Sequence, residues 1–506
     1  MSYDVIVVGA GSAGCVLAAR LSEDTSCEVL LLEAGPDYPT RERLPVDIAD
    51  GTRLPSDRST SHDWGLVSIP GIGGVPAVPL PRGRLVGGSS AVNGTFALRG
   101  FPEDYDAWEA VGNQGWGFSD VLDVFRRLET DLDFADRPWH GAVGPLPVRR
   151  HPPTEQSVLA HTFLEAAQKA GHPPLADHNE PGVVGAGPLP VNTLGRLRMS
   201  AAITHLEPAR GRPNLTVRGH APVDRVEVVA GRTRGVRLVT GELLGAELVV
   251  LSAGAYASPG VLLRSGIGPT EDLAALGVDT VTYLPGVGRN LVDHGLVSVD
   301  VAVPAEPVER PNYQTMVTWR SDGGDGPPDL HLFACGPFET RRTRGDRQEA
   351  RLIVGLVDPA SRGQVQLAST DPTTPLHIDP GYLEDRRDLD RLATGVGEIR
   401  RILDSEVLRS LAIGGELSPG AHVTEDADLR AALPSLVRTY HHPVGTCRMG
   451  TDPDDGAVVD AHGCLHGIGG LVVADASIMP TIPRANTNLP TLMLAERIAG
   501  WLTAHT

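Results

Sequence analysis

Residues Asp4-Val-Ile-Val-Val8 pass directly into Gly9-Ala-Gly11-Ser12-Ala-Gly14, and a second apolar run, Glu28-Val-Leu-Leu-Leu32, ends in Glu33. The first run is β-branched and reads as a buried parallel strand. The GxGxxG spacing after it, followed by an apolar-periodic stretch to Leu21, predicts the turn and helix start of a dinucleotide-binding βαβ unit. Gly9 allows the tight turn, Gly11 lets backbone approach a pyrophosphate, and Gly14 lets helix and strand pack closely. The free N–H groups at the helix start favour phosphate. Glu33 stands 19 residues after Gly14, where a carboxylate binds both hydroxyls of a ribose and repels a 2′-phosphate. NADP is therefore disfavoured, while NAD and FAD fit this segment alike.

The rest of the chain restricts the context. Its 506 residues predict two or three domains. A composition 41% hydrophobic and 21% charged supports a large core and excludes wholesale disorder. The formal charge of -19 opposes binding to nucleic acid or anionic lipid. Lys169 is the single lysine among the basic residues. Cys15, Cys27, Cys335, Cys447 and Cys464 are odd in number and lack CxxC spacing, so neither a disulfide framework nor a thiolate metal site is expected. No signal peptide or apolar run of spanning length is visible, and a cytoplasmic protein without a membrane span is the expectation.

Residues 36–84, rich in Pro, Gly, Asp and Arg, predict a long irregular loop lying over a site. Arg82-Gly-Arg-Leu-Val-Gly87-Gly88-Ser-Ser-Ala-Val92-Asn93-Gly94 is a second glycine-serine loop, read as a backbone-lined wall or a surface turn. A helix is expected over 156–170, short strands over 222–250, a buried strand at Leu248–Leu251 and a small-residue run to Pro259. Residues 296–435 have another texture. Sheet segments are expected at Leu352–Val357 and Gln364–Leu367, and a helix at Asp388–Leu408.

Near the C-terminus, Tyr440-His441-His442-Pro443 precedes a turn, and Leu471-Val-Val-Ala474 is a strand ending in Asp475. Pro483-Arg-Ala-Asn486-Thr-Asn488-Leu-Pro490-Thr491 leads into a helix with Pro490 expected at its first position. Taken singly, adjacent histidines are mostly structural, Asn486 and Asn488 are turn formers or caps, and Cys447 is a buried thiol. A metal site at the His pair lacks a third ligand at suitable local spacing.

In combination these segments resemble the glucose-methanol-choline (GMC) oxidoreductases over nearly the whole chain. The fingerprint with Glu33, Gly83–Gly94, Gly254-Ala-Tyr-Ala-Ser-Pro-Gly-Val-Leu-Leu-Arg-Ser-Gly-Ile-Gly268, Pro285-Gly-Val-Gly-Arg-Asn-Leu-Val-Asp-His294 and the terminal His442/Asn486 region carry the match in family order. The resemblance implies an α/β (α+β overall) protein. It has a Rossmann-like FAD-binding domain and a substrate domain built on a six-stranded antiparallel sheet backed by helices. The expected division is 1–155, 196–298 and 436–506 for the FAD domain, and 156–195 and 299–435 for the substrate domain.

The same resemblance decides for FAD over NAD. It implies cofactor contacts from Gly9, Gly11, Ser12, Gly14, Glu33 and Ala34, a flavin wall from Gly87, Gly88 and Asn93, and adenine contact through the Val223 backbone. Asp475 and Ala476 are placed near the pyrophosphate or ribityl chain, and Thr491 near the flavin N1/C2=O edge. The catalytic pair it implies is His442 and Asn486, with Asn488 as the nearby rival. Val92 stands where some members carry a flavin-linking His, so FAD is expected to be non-covalent.

The implied reaction is oxidation of a primary or secondary alcohol to a carbonyl, with His442 as base and hydride passing to flavin N5. Oxygen or an electron carrier (a quinone, a cytochrome or another redox cofactor) takes the electrons. The family also contains hydroxynitrile lyases and a photodecarboxylase branch, which stand as the alternatives.

Overall fold

The strand Ser2–Val8 lies inside a mixed sheet, parallel to Val29–Leu32 on one side and to Leu243–Leu251 on the other. Leu215–Arg218 extends the sheet in parallel beyond Val29–Leu32. At the other flank, Leu243–Leu251 pairs antiparallel with Arg232–Leu238 at its start and parallel with Leu471–Val473 at its end. Val223–Val229 closes that side as an antiparallel neighbour of Arg232–Leu238. The computed structural model describes residues 2–54, 62–306, 310–343, 345–420 and 422–504. The four residues of Val29–Leu32 are all buried, as expected of a strand covered on both faces. Helix Ser12–Leu21 follows the glycine turn and packs its buried face into the same core.

This topology brings Gly9, Glu33, Ser252 and Asp475 to one edge, because each follows the carboxyl end of a parallel strand. That edge is where open α/β sheets bind ligands.

The second sheet is antiparallel. Its order is Ile413–Ser418, Gly295–Pro304, Arg347–Leu356, Leu330–Phe338, Thr315–Trp319 and Ala186–Pro188. The short strand Arg438–Thr439 adds a seventh member beside the start of Gly295–Pro304. Helices Val158–Lys169 and Arg386–Leu403 back it through Leu159, Phe163, Leu392, Val396 and Ile399.

Several local expectations change. The small-residue run after Leu251 is a helix, Gly254–Arg264, with Pro259 inside it. A proline removes the N–H that would serve the carbonyl four residues earlier. Here that carbonyl, of Ala255, accepts the Thr446 hydroxyl at 2.6 Å. The proline thus joins this helix to the turn after His442.

The helix expected over 388–408 is two, Arg386–Leu403 and Glu406–Leu411, because Ser405 caps the second through the Leu408 N–H. Gln364–Gln366 pairs with His377–Asp379 in a separate ribbon. The last helix begins at Asn488, so Pro490 is its third residue; its missing N–H still falls among the four that lack helical partners. The divide at 298/299 falls within strand Gly295–Pro304. Residues 55–61 of the long loop lie outside the described residues, and the rest of it forms only short helical turns and isolated bridges.

Candidate active site

Two distant segments, 291–296 and 438–444, run antiparallel and hold His442. Gly295 pairs with Thr439 and Leu296 with Arg438. The Tyr440 N–H donates to the His294 carbonyl at 2.8 Å, and Val292 and Val444 exchange backbone bonds. Between these ties His441 adopts a left-handed backbone, φ 73. Its carbonyl accepts Arg82 Nη2 at 2.8 Å, and the following His442 N–H donates to Asp293 Oδ1 at 2.7 Å. Asp293 Oδ2 accepts the hydroxyls of Thr439 and Tyr382, so every oxygen of this buried carboxylate is engaged.

The imidazole of His442 is 6% exposed and bonded at both nitrogens. Nε2 is 3.0 Å from Asn486 Nδ2, and Nδ1 is 3.0 Å from Nδ1 of His294. Burial, and then the close approach of the His294 and His441 imidazoles and the Arg82 guanidinium, hold the His442 pKa well below the usual 6.5. Asn486 lies in the segment before the last helix, which is pinned where Arg484 binds Asp104 and Asp358. Asn488 faces elsewhere: its Oδ1 accepts the Ser12 hydroxyl at 2.8 Å, beside the first glycine turn. Of the two asparagines, only Asn486 meets His442.

The glycines test whether this edge fits a dinucleotide. A Cβ on Gly14 would stand 1.9 Å from the Gly9 carbonyl, and one on Gly9 2.7 Å from the Ser252 carbonyl. Protein packing alone requires these two. A Cβ on Gly11 would meet nothing nearer than Gly88 at 4.0 Å. Its small size is left to be explained by an incoming group, as a pyrophosphate at a helix start would require.

Gly87 and Gly88 stand against this turn, with the Gly87 N–H donating to the Ala10 carbonyl at 2.7 Å. Glu33 accepts the N–H groups of Ala10 and Gly35 at 3.0 and 2.9 Å. Burial pushes its pKa up to about 7 against the Gly35, Ala10 and Ala34 N–H groups and Arg84. The Ala221 N–H bonds the Glu33 carbonyl, which brings the segment before Val223 beside Glu33 and Ala34. These residues fit FAD.

Other expected residues have mostly internal partners. The Asp475 carboxylate accepts the Gly254 and Ser477 N–H groups and the Ser258 hydroxyl, leaving Ala476 beside it on the strand edge. The Asn93 side chain caps the Thr95 N–H at 3.0 Å. The Thr491 hydroxyl donates to the Thr487 carbonyl at 2.6 Å. Val92 packs with Ile48, Leu85 and Ala91.

Rings line the other side of His442. Tyr440 lies 4.5 Å from it between centroids, and Phe333 stacks on Tyr440 at 5.6 Å. Phe96 meets Phe333 at 5.7 Å and Tyr313 at 5.0 Å. Leu189, Val191, Met316, Ile353 and Val357 complete this cluster. Sequence reading missed these residues, Arg82 and His294. His294 ends a quoted motif, but no local pattern shows that it meets a side chain 148 positions away.

Glu129, Asp131 and His140 also converge. Arg99 binds Glu129, and Arg150 binds Asp131 and Asp177. His140 bonds Glu129 at 2.7 Å and Asp177 at 2.8 Å. The six groups balance in charge when His140 is protonated, and arginine and imidazole donors already take Glu129 Oε1, Asp131 Oδ2 and both Asp177 oxygens.

Family models described as GMC oxidoreductase match residues 3–296 and 359–495. The chain is 37% identical to a 5-(hydroxymethyl)furfural oxidase of Methylovorus sp. (strain MP688), with 98% of both chains covered. It is 35% identical to an oxygen-dependent choline dehydrogenase of Pseudomonas entomophila (strain L48), covering 98% of this chain and 93% of that one. The solved pyridoxine 4-oxidase from Mesorbium loti superposes with a TM-score of 0.92 at 35% identity over all of both chains. Among the described residues no helix is long and apolar enough to cross a membrane. The protein therefore belongs to the GMC oxidoreductase family of FAD-dependent enzymes acting on CH–OH groups.

Proposed function

We propose that the protein oxidises an uncharged aromatic primary alcohol to its aldehyde, with oxygen as electron acceptor. The observation that carries this reading is the ring cluster of Tyr440, Phe333, Phe96 and Tyr313 beside His442. The Asp293 carboxylate, close to His442, is spent on Tyr382, Thr439 and the His442 backbone. Arg82, which bonds the His441 carbonyl, adds positive charge beside His442. A neutral ring stacks on these ring faces, while a quaternary ammonium, which the same faces would attract, meets the Arg82 charge. The names of the furfural and pyridoxine relatives, both oxidases of ring-borne alcohols, support the class and the acceptor.

FAD, when bound, supplies the two-electron acceptor for the carbinol hydride. It would be held by Gly9, Gly11, Ser12, Gly14, Glu33 and Ala34, by Gly87, Gly88 and Asn93, and by Val223, Asp475, Ala476 and Thr491. His442 Nε2 takes the hydroxyl proton of the alcohol. Asn486 Nδ2 keeps a second N–H for the substrate oxygen and orients the carbinol carbon. The substrate-binding unit comprises 156–195 and the antiparallel sheet up to 435, with its second boundary drawn before Gly295 so that the strand stays whole.

The test is anaerobic flavin reduction by a panel of alcohols, followed by air. Faster reduction by hydroxymethyl arenes than by choline, with rapid reoxidation in air, is expected. Preference for choline would overturn the substrate class. Slow reoxidation in air, with fast transfer to a quinone, would overturn the acceptor.

A further inference from the structure

His294 is fully buried, at 0% exposure, and its Nδ1 stands 3.0 Å from Nδ1 of His442. The strand pairing already described fixes both rings: the Tyr440 N–H bonds the His294 carbonyl, and Asp293 binds the His442 N–H. The rings meet edge to face, at 85° and 5.2 Å.

We propose that His294 is a positioning residue that accepts the Nδ1–H of His442 and so keeps Nε2 of His442 bare for the alcohol's hydroxyl proton. This rests on the reading of His442 as the base.

Hydrogen-bond chemistry leads there step by step. The amide nitrogen of Asn486 only donates, so the His442 Nε2 that faces it at 3.0 Å accepts. A neutral imidazole carries one proton, which then sits on Nδ1. Nδ1 of His294 must accept it, and His294 holds its own proton on Nε2. The opposite amide orientation would put a proton on His442 Nε2 and make His294 the donor. That arrangement cannot receive a proton from substrate, so the working enzyme uses the first. When the alcohol O–H bond breaks and N–H forms at Nε2, the Nδ1–H bond to His294 becomes charge-assisted and stabilises the imidazolium.

The surroundings make the acceptor neutral. Around the pair stand Arg82 from the long loop, Arg484 before the last helix, His331 from strand Leu330–Phe338, and His441. The Asp293 carboxylate contacts the His442 backbone and leaves its imidazole alone. The Tyr440 ring covers the pair. Burial, and then His331, depress the His294 pKa far below 6.5, so His294 stays an uncharged acceptor.

The test compares His294→Leu, His294→Asn and His442→Ala as FAD-loaded enzymes. Asparagine presents Oδ1 where the imidazole presented Nδ1; leucine presents no acceptor. Anaerobic stopped-flow reduction by a hydroxymethyl arene is recorded against pH. His294→Leu should lower the limiting rate by roughly a hundredfold, as a wrong tautomer does, and move the acid limb of the profile to lower pH. His294→Asn should recover about tenfold or more of that loss and bring the limb back.

In holoenzyme with 15N-labelled histidine, the Nδ1–H resonance of His442 should persist in His294→Asn and vanish in His294→Leu. Wild-type rate and profile in His294→Leu, or equal loss in both His294 variants, would overturn the proposal. If His442→Ala is crippled while His294→Leu is intact, only the role of His294 falls. If His442→Ala also reduces normally, the base assignment beneath it falls.

Discussion

Asn486 Nδ2 stands 3.0 Å from His442 Nε2, across 44 residues of chain, while Asn488, two positions on, turns its Oδ1 to Ser12. The pair is built by two anchors. Arg484 ties the asparagine segment to Asp104, and Asp293 ties the histidine backbone to the 291–296 segment. Asn486→Ala removes the donor shared by the base and the substrate oxygen. One such donor is typically worth about 3–4 kcal/mol, so flavin reduction should slow by two to three orders of magnitude at unchanged FAD content. Asn488→Ala should spare the reduction rate, and stopped-flow traces of the two variants separate the roles.

The pH dependence follows from the depressed His442 pKa. Burial, followed by neighbouring positive charge, keeps the imidazole neutral through the ordinary titration range near 6.5. A base works in its neutral form, so the reductive rate should be flat around neutrality and fall only as pH drops below that range. His441→Asn keeps a residue tolerant of the left-handed backbone at φ 73 and removes one neighbouring imidazole. It should leave the rate near wild type. A sigmoid centred above 6.5 in the wild-type profile would contradict the depression.

FAD retention should titrate through Glu33. The buried carboxyl is raised to about 7, and only its ionised form accepts both hydroxyls of a ribose. FAD affinity of the apoprotein should therefore rise with pH through about 7 and level off above it, as flavin fluorescence titrations would show. Glu33→Gln should bind more weakly, with the pH dependence lost.

The buried charge network predicts a stability effect away from the site. Burial opposes the charge on His140, but the hydrogen bonds it donates to Asp177 and Glu129 outweigh this and hold its pKa above 6.5. A folded pKa above the unfolded one gives stability that is complete below 6.5 and lost as pH rises through the folded value. His140→Leu leaves Glu129 and Asp177 short of donors in the interior. Breaking such a network costs about 3–5 kcal/mol, which calorimetry would register as a lower Tm.

Flavin should leave with acid. Val92 lies in an apolar cluster with Ile48, Leu85 and Ala91 and has no group able to bond the isoalloxazine. Acid precipitation should put the yellow colour in the supernatant, and a yellow washed pellet would refute non-covalent binding.

What the sequence made legible was local or carried by linear motif. The strand, turn and helix over 2–21 lie close together in sequence, and periodicity with glycine spacing gives both their ends, at Val8 and Leu21, and their starts to within two residues. The break at Ser405 was not legible, because the helical pattern continues through a serine that caps a new helix. The helix at Gly254–Arg264 hid behind Pro259, whose cost is met by Thr446 far along the chain. His294 and Arg82 escaped notice for the same reason: their partners, His442 and the His441 carbonyl, are reached only when the long loop and the two antiparallel segments come together.

The most direct test of the account is anaerobic stopped-flow reduction of His442→Ala by a hydroxymethyl arene that reduces the wild type. The account predicts full FAD content, an intact fold and a reduction rate lower by roughly a hundredfold or more, the usual worth of a positioned base. Reduction at the wild-type rate in that variant would contradict it.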